Sequence, residues 1–151
     1  AVLINGELTA SWIHTPTKSE TVCALKGHGS WVLETGTSLK VDSRISFTHK
    51  KIDINSRLKD VYSPYYNVCK LLCRSRTYVE LSENNIQAAV FNNTLHPWDH
   101  LPGGLIYREA GGYAALFSGE NFSIESLSDN AIIMAPNRQI WSSLLEQYRL
   151  S

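Results

Sequence analysis

The chain has 151 residues, 43% hydrophobic and 19% charged, which suits one globular domain with a buried core and argues against disorder. Fourteen Lys and Arg balance fourteen Asp and Glu, so neither a general nucleic-acid surface nor an anionic-membrane surface is supported. No apolar run approaches the roughly 20 residues of a membrane span. The start, Ala1-Val2-Leu3-Ile4, lacks both the basic region of a signal peptide and an initiator Met. A cytoplasmic location is expected, with the chain processed, trimmed or partial. The cysteines Cys23, Cys69 and Cys73 have no disulfide-framework spacing. They point to a reducing compartment and to thiols packed in the core.

In chain order, residues 1–35 read as an antiparallel meander. Val2-Leu3-Ile4 and residues 8–13 flank Asn5-Gly6, a pair that supplies the positive φ angles of a tight hairpin turn. Residues 15–19 form a polar loop and 20–26 a second β run. Gly27-His28-Gly29 turns into a further strand at 30–34. Residues 44–48 alternate as a strand does, His49-Lys50-Lys51 reads as a solvated basic cluster, and 54–61 as a short helix. A short strand at 68–72 leads to a helix at 74–85 with Thr77, Tyr78 and Leu81 inward. Residues 87–91 are a compact apolar run, expected as a buried strand. Strands follow at 113–117 and 131–135. Pro136-Asn137 then opens a last helix, where Ile140, Trp141, Leu144, Leu145 and Tyr148 make an apolar stripe. A meander followed by strands alternating with helices implies a layered α/β (α+β) fold whose first sheet is antiparallel and whose second is mixed. Residues 1–67 read as the antiparallel portion with its connection and 68–151 as the α/β portion, both parts of one larger domain.

The most informative stretch is His96-Pro97-Trp98-Asp99-His100, a polar loop running into an apolar helix that closes on Gly111-Gly112. The glycine pair fits a left-handed cap. Asp99 at the helix start either caps backbone N–H groups or holds a cation while the helix N-terminus faces an anion. Arg74-Ser75 open another helix. Two helix N-termini at one pocket make an anion site, and a carboxylate beside it suits Mg²⁺, which takes one or two carboxylates plus phosphate oxygens and water. His96 and His100 are four apart, but Pro97 intervenes, so His100 is expected to hydrogen-bond locally rather than share a zinc ion. Gly103-Gly104 inside the helix reads as close packing.

Trp98-Asp99 followed downstream by Glu109-Ala110-Gly111-Gly112 resembles the C-terminal signature of the inositol monophosphatase family. Asn5-Gly6-Glu7 through Trp12-Ile13-His14-Thr15-Pro16, then Ala24-Leu25-Lys26-Gly27-His28-Gly29-Ser30-Trp31, resemble that family's paired strands. The tail at 131–145 resembles its last strand and helix. The resemblance implies an αβαβα fold and a magnesium-dependent, lithium-sensitive phosphomonoesterase. Its substrate would be a small-molecule sugar or polyol phosphate such as inositol monophosphate. Family members often form homodimers, for which Trp12 and Trp31 would suit an interface. By motif position Asp99 would be the catalytic metal ligand. Cys73-Arg74-Ser75 stands in place of the family's Gly-Ser/Thr-Ala, so Arg74 and Ser75 would lie against substrate. Asn92 stands where inositol-type members often carry a substrate-binding Glu. A guanidinium at Arg74 could hold a second anionic group, favouring a more charged ester. The family's upstream Glu and Asp-Pro-x-Asp-Gly-Thr/Ser motif would belong before Ala1, and turnover is not expected without them. The alternative from another class is a non-catalytic phosphate-ligand-binding or oligomerisation module of the same fold.

Overall fold

The computed structural model describes residues 1–44, 50–92, 95–125 and 131–150. The meander forms as expected. Strands β1 (Val2–Ile4) and β2 (Glu7–Thr15) join through Asn5 and Gly6 at φ 52° and 80°, both in the left-handed region that a two-residue hairpin turn requires. Strands β3 (Glu20–Leu25) and β4 (Gly29–Val32) complete an antiparallel sheet in the order β1-β2-β3-β4. Ser11, Val22, Ala24, Ser30 and Val32 are buried on its inner face. On the outer face Trp12 pairs with Cys23 and Cys23 with Trp31, leaving Trp12 exposed and Trp31 half-buried.

The second sheet contains a strand that the sequence hid. Lys51–Ile54 is β5, with Ile52, Asp53 and Ile54 all buried. The expected helix at 54–61 therefore starts later, as a 3-10 turn at Ser56–Leu58 running into the short helix α1 (Lys59–Tyr62). Strand β6 (Asn67–Cys69), helix α2 (Arg74–Ser82), strand β7 (Ala88–Phe91) and helix α3 (Pro97–Glu109) follow. The chain closes with β8 (Tyr113–Leu116), β9 (Ile132–Ala135) and α4 (Arg138–Arg149). The sheet order is β6-β5-β7-β9-β8, with β5 parallel to both β6 and β7, and β9 antiparallel to β7 and β8. The strand expected at 44–48 falls almost wholly outside the described residues.

Helices α2 and α3 lie between the sheets. Val79, Leu105 and Ile106 pack on Val22 and Ala24 of the first sheet. On the other side Tyr78, Leu81, Leu101 and Tyr107 pack on Ala89, Phe91 and Ile132 of the second. The far face of the second sheet is covered by α1 and α4, through Tyr62, Trp141, Leu144 and Leu145. These are consecutive β, α, β and α layers, in the order of the expected αβαβα stack. The stripe on α4 behaves as its spacing predicts, and burying each of its large side chains contributes about 1.5–3 kcal/mol. Asn137 caps the helix, its Oδ1 accepting from Ile140 N–H at 2.9 Å.

Helix α3 is anchored at both ends. At its C-terminus Gly111, at φ 93°, donates to Arg108 O at 2.9 Å, and Gly112 donates to Tyr107 O at 3.0 Å. This is a Schellman cap, as the glycine pair implied. Within the helix Gly103 lies against the Tyr78 ring, where a Cβ would overlap the ring carbons, whereas a Cβ on Gly104 would meet nothing. Close packing therefore accounts for Gly103 alone. Gly103→Ala is expected to force α2 and α3 apart and cost about 1–3 kcal/mol, read as a lowered denaturant midpoint.

Candidate active site

The parallel strands of the second sheet end at one place. The chain passes from β5 to β6 through α1 on one face of the sheet, then from β6 past β5 to β7 through α2 on the other face, so the two crossovers run in opposite directions. A crevice opens beyond the carboxyl ends of the strands, as at other such switch points. It is a cleft of about 610 Å³ lined by Asp53, Ile54, Asn55, Lys70, Leu72, Cys73, Arg74, Ser75, His96 and Asp99. Helices α2 and α3 both start there. Their N-cap residues, Cys73 and His96, make no side-chain cap bond, so the positive ends of both helices face the cleft without a side-chain cap.

Asp99 is not the cap itself. His96 is the N-cap and Pro97 the first helical residue, so Asp99 sits in the first turn. Its backbone N–H donates to His96 O at 3.0 Å, and its carboxylate accepts no hydrogen bond among the described residues. Arg74 stands at the start of α2 with its guanidinium carbon 3.7 Å from the Phe91 ring centroid, a cation–π contact that fixes its direction. Lys70 adds a second cation to the same wall. His96 stacks on Trp98 with ring centroids 4.7 Å apart, and Trp98 is 72% exposed.

Asp99, Arg74 and Ser75 thus share one cleft. Asn92 does not line the cleft but bonds a residue that does, its Oδ1 accepting from Asn55 Nδ2 at 2.7 Å. Sequence reasoning missed Asn55, Lys70 and Asp53. Asn55 and Asp53 lie in the stretch whose polar residues masked a buried strand. Asp53 is 1% exposed, and its oxygens accept from Leu71 N–H at 3.2 Å and Thr77 Oγ1 at 2.5 Å. It ties β5 to the loop that carries Arg74. The cysteines also differ from expectation. Cys73 is exposed at the cleft, and Cys23 and Cys69 are only half-buried, because Cys73 is the residue where the chain turns into α2.

Among the described residues no group of three or more His, Cys, Asp or Glu could hold a metal ion. Asp53 is committed to protein donors. Asp99, half-exposed and without a side-chain partner among the described residues, fits one ligand of a Mg²⁺ ion that also takes phosphate oxygens and water.

His100, next to Asp99, faces the other way. It is 2% exposed, lies 3.0 Å from the Tyr78 hydroxyl through Nδ1, and sits edge-on to Phe122 at 5.5 Å. Burial, with the charges of Arg74 and His96 as smaller causes, pushes it down to about 4. The folded state therefore disfavours its protonation. Stability is full above about pH 6.5 and is lost as pH falls toward 4, by about 3 kcal/mol from this group. Denaturant unfolding between pH 7 and pH 4 should show this slope, and His100→Gln should flatten it.

The signature Glu109 has a structural role. Its two carboxylate oxygens accept from Gly27 N–H and Gly29 N–H, each at 2.9 Å. The Glu-Ala-Gly-Gly helix end is thereby hooked to the turn between β3 and β4, which explains why the two sequence features occur together.

The layered α/β domain thus brings two helix N-termini, two cations and Asp99 to one cleft. The model of the inositol monophosphatase family matches residues 1–149, and the chain belongs to that family. An inositol monophosphatase from Thermotoga maritima is similar at TM-score 0.82 and 20% identity, over 96% of this chain and 57% of the other. Inositol monophosphatase II from Staphylococcus aureus MSSA476 is similar at TM-score 0.80 and 20% identity, over 95% and 57%. A structure of SaIMPase-II with inositol monophosphate bound is similar at TM-score 0.78 and 20% identity, over 97% and 58%. The chain thus spans less than two thirds of the length of these structures. No match was found among curated proteins.

Proposed function

We propose that this chain is the part of a magnesium-dependent phosphomonoesterase that binds the phosphate of a sugar or polyol phosphate such as inositol monophosphate. The observation that carries the reading is the convergence of the N-termini of α2 and α3 with Asp99 in one cleft. Family membership and the inositol monophosphate bound in SaIMPase-II support it.

In this reading the positive ends of α2 and α3 and the Ser75 hydroxyl receive phosphate oxygens, and Arg74 and Lys70 balance their charge. Asp99 is the metal ligand and the catalytic residue contributed here. When bound, Mg²⁺ supplies Lewis-acid stabilisation and an activated water. Asn92, bonded to Asn55 at the cleft, is the amide set to meet the hydroxyls of the alcohol. Two cations beside one phosphate site favour an ester with a second anionic group. Lithium inhibition, a cytoplasmic location and a homodimer belong to the same proposal, and exposed Trp12 would suit an interface.

The test is phosphate release by the full-length gene product from sugar and polyol mono- and bisphosphates. Arg74→Ala is expected to raise KM about tenfold or more for a bisphosphate and less for a monophosphate. Equal loss on both would remove Arg74 from recognition of the second anionic group.

One observation favours a second reading. Among the described residues Asp99 is the one carboxylate at the cleft not held by protein donors, which suits a phosphate-ligand-binding module without turnover. Saturable binding of inositol monophosphate without phosphate release would support it.

A further inference from the structure

Helix α2 begins over the end of β7. Phe91 is the last residue of that strand, and its ring is fully buried on the side of the sheet that faces α2 and α3. The Arg74 guanidinium carbon stands 3.7 Å from the centre of that ring, which is van der Waals contact. A guanidinium lying flat on the ring brings its carbon that close, whereas an end-on approach would put a nitrogen in between. The ring is itself held. It packs beside His100 with ring centres 6.3 Å apart, and His100 Nδ1 lies 3.0 Å from the Tyr78 hydroxyl. Arg74 thus rests on a fixed platform at the wall of the cleft.

A flat stack does not use up the guanidinium donors, since the N–H bonds all lie in the plane of the fork and the ring covers a face. Attraction to the ring and a bidentate bond to an oxyanion can therefore be made together. A long side chain carries much rotamer freedom, and an anion that has to order it binds more weakly for doing so. Phe91 orders Arg74 beforehand. Lys70, the second cation of the wall, is exposed and offers charge without a plane. We propose that Phe91 is a positioning residue for substrate selection. It holds Arg74 flat, so that the fork is presented to a second phosphate group of the ester. The choice of a bisphosphate over a monophosphate is set by this stack rather than by net positive charge. The inference rests on the phosphate-binding reading of the cleft and adds to it a residue buried behind the wall.

The test compares myo-inositol 1-phosphate with myo-inositol 1,4-bisphosphate on the full-length protein with Mg²⁺. Where the esters are turned over, KM is read from initial rates; where they are not, Kd is read by calorimetric titration under the same conditions. The wild type is expected to prefer the bisphosphate by about tenfold. Phe91→Leu should cut that preference to about threefold or less, with the monophosphate value moving by less than about twofold and kcat kept. A merely structural role would instead weaken both esters together. Arg74→Lys keeps the charge but cannot stack flat, so it should lose the preference equally, and adding Phe91→Leu to it should change the preference no further. Phe91→Tyr retains a ring and should keep the preference. Should Phe91→Leu not fold, Phe91→Met fills the volume without a π face and takes its place. Should neither fold, Arg74→Lys alone decides, and a preference kept there would overturn the proposal. So would an unchanged preference in folded Phe91→Leu, an equal weakening of both esters, or a wild type that binds the two alike. A wild type that prefers the bisphosphate but releases no phosphate would support the role of the stack and refute the phosphatase reading instead.

Discussion

Asp99→Asn in the full-length protein is expected to lower metal-dependent phosphate release about 10³-fold while leaving the denaturation midpoint nearly unchanged. The two outcomes separate because of where Asp99 sits. It is half-exposed in the first turn of α3, and its carboxylate accepts no hydrogen bond among the described residues. Removing its charge therefore orphans no protein donor. Only the small favourable interaction with the helix dipole is lost, about 0.3–1 kcal/mol. In the proposed role activity would depend on that charge more steeply, since a ligand to a metal acts on charge developing in the transition state, where one lost group costs about 10²–10³ or more. A large fall in the midpoint instead would make Asp99 a structural residue.

Asp53→Ala is expected to do the reverse first, costing about 3–5 kcal/mol of stability. Asp53 is almost wholly buried, and its carboxylate joins three pieces of chain. It lies in β5, accepts the N–H of Leu71 from the loop after β6, and accepts the hydroxyl of Thr77 from α2. Alanine takes the acceptor from the part-buried Leu71 N–H, leaves the Thr77 hydroxyl with Cys73 O alone, and leaves a cavity beneath the start of α2. Because that start carries Arg74 and Ser75, phosphate binding should weaken in whatever protein remains folded. Asp53→Asn keeps the shape and one acceptor oxygen, so it should recover part of the stability. Chemical denaturation of the two variants checks the order. Wild-type stability in Asp53→Ala would show that the Leu71 and Thr77 contacts carry no energy.

What could be read from the sequence follows from how locally each feature is determined. Asn5-Gly6 turns the chain by its own φ angles, Gly111-Gly112 caps α3 by its own, and the α4 stripe states which face is buried. These needed no partner. Strand β5 did need one. Lys51-Ile52-Asp53-Ile54 alternates like a half-exposed segment, yet Asp53 is buried because Thr77 and the Leu71 N–H, far along the chain, satisfy it. The same applies to the cleft. Arg74, Ser75 and Asp99 were legible from helix starts and the family signature. Lys70 and Asn55 became visible only when β5, β6 and α2 were brought to one end of the sheet. Asn92 was read as facing substrate, and it bonds Asn55, which lines the cleft. The exposure of Cys73 likewise follows from the turn into α2, which composition does not record.

The most direct test of the central claim is phosphate release from myo-inositol 1-phosphate and related sugar phosphates by the purified full-length gene product, with and without Mg²⁺, in wild type and Asp99→Asn. Release that requires Mg²⁺ and falls about 10³-fold in the variant is the expected result. Mg²⁺-dependent release that survives Asp99→Asn unchanged would contradict it.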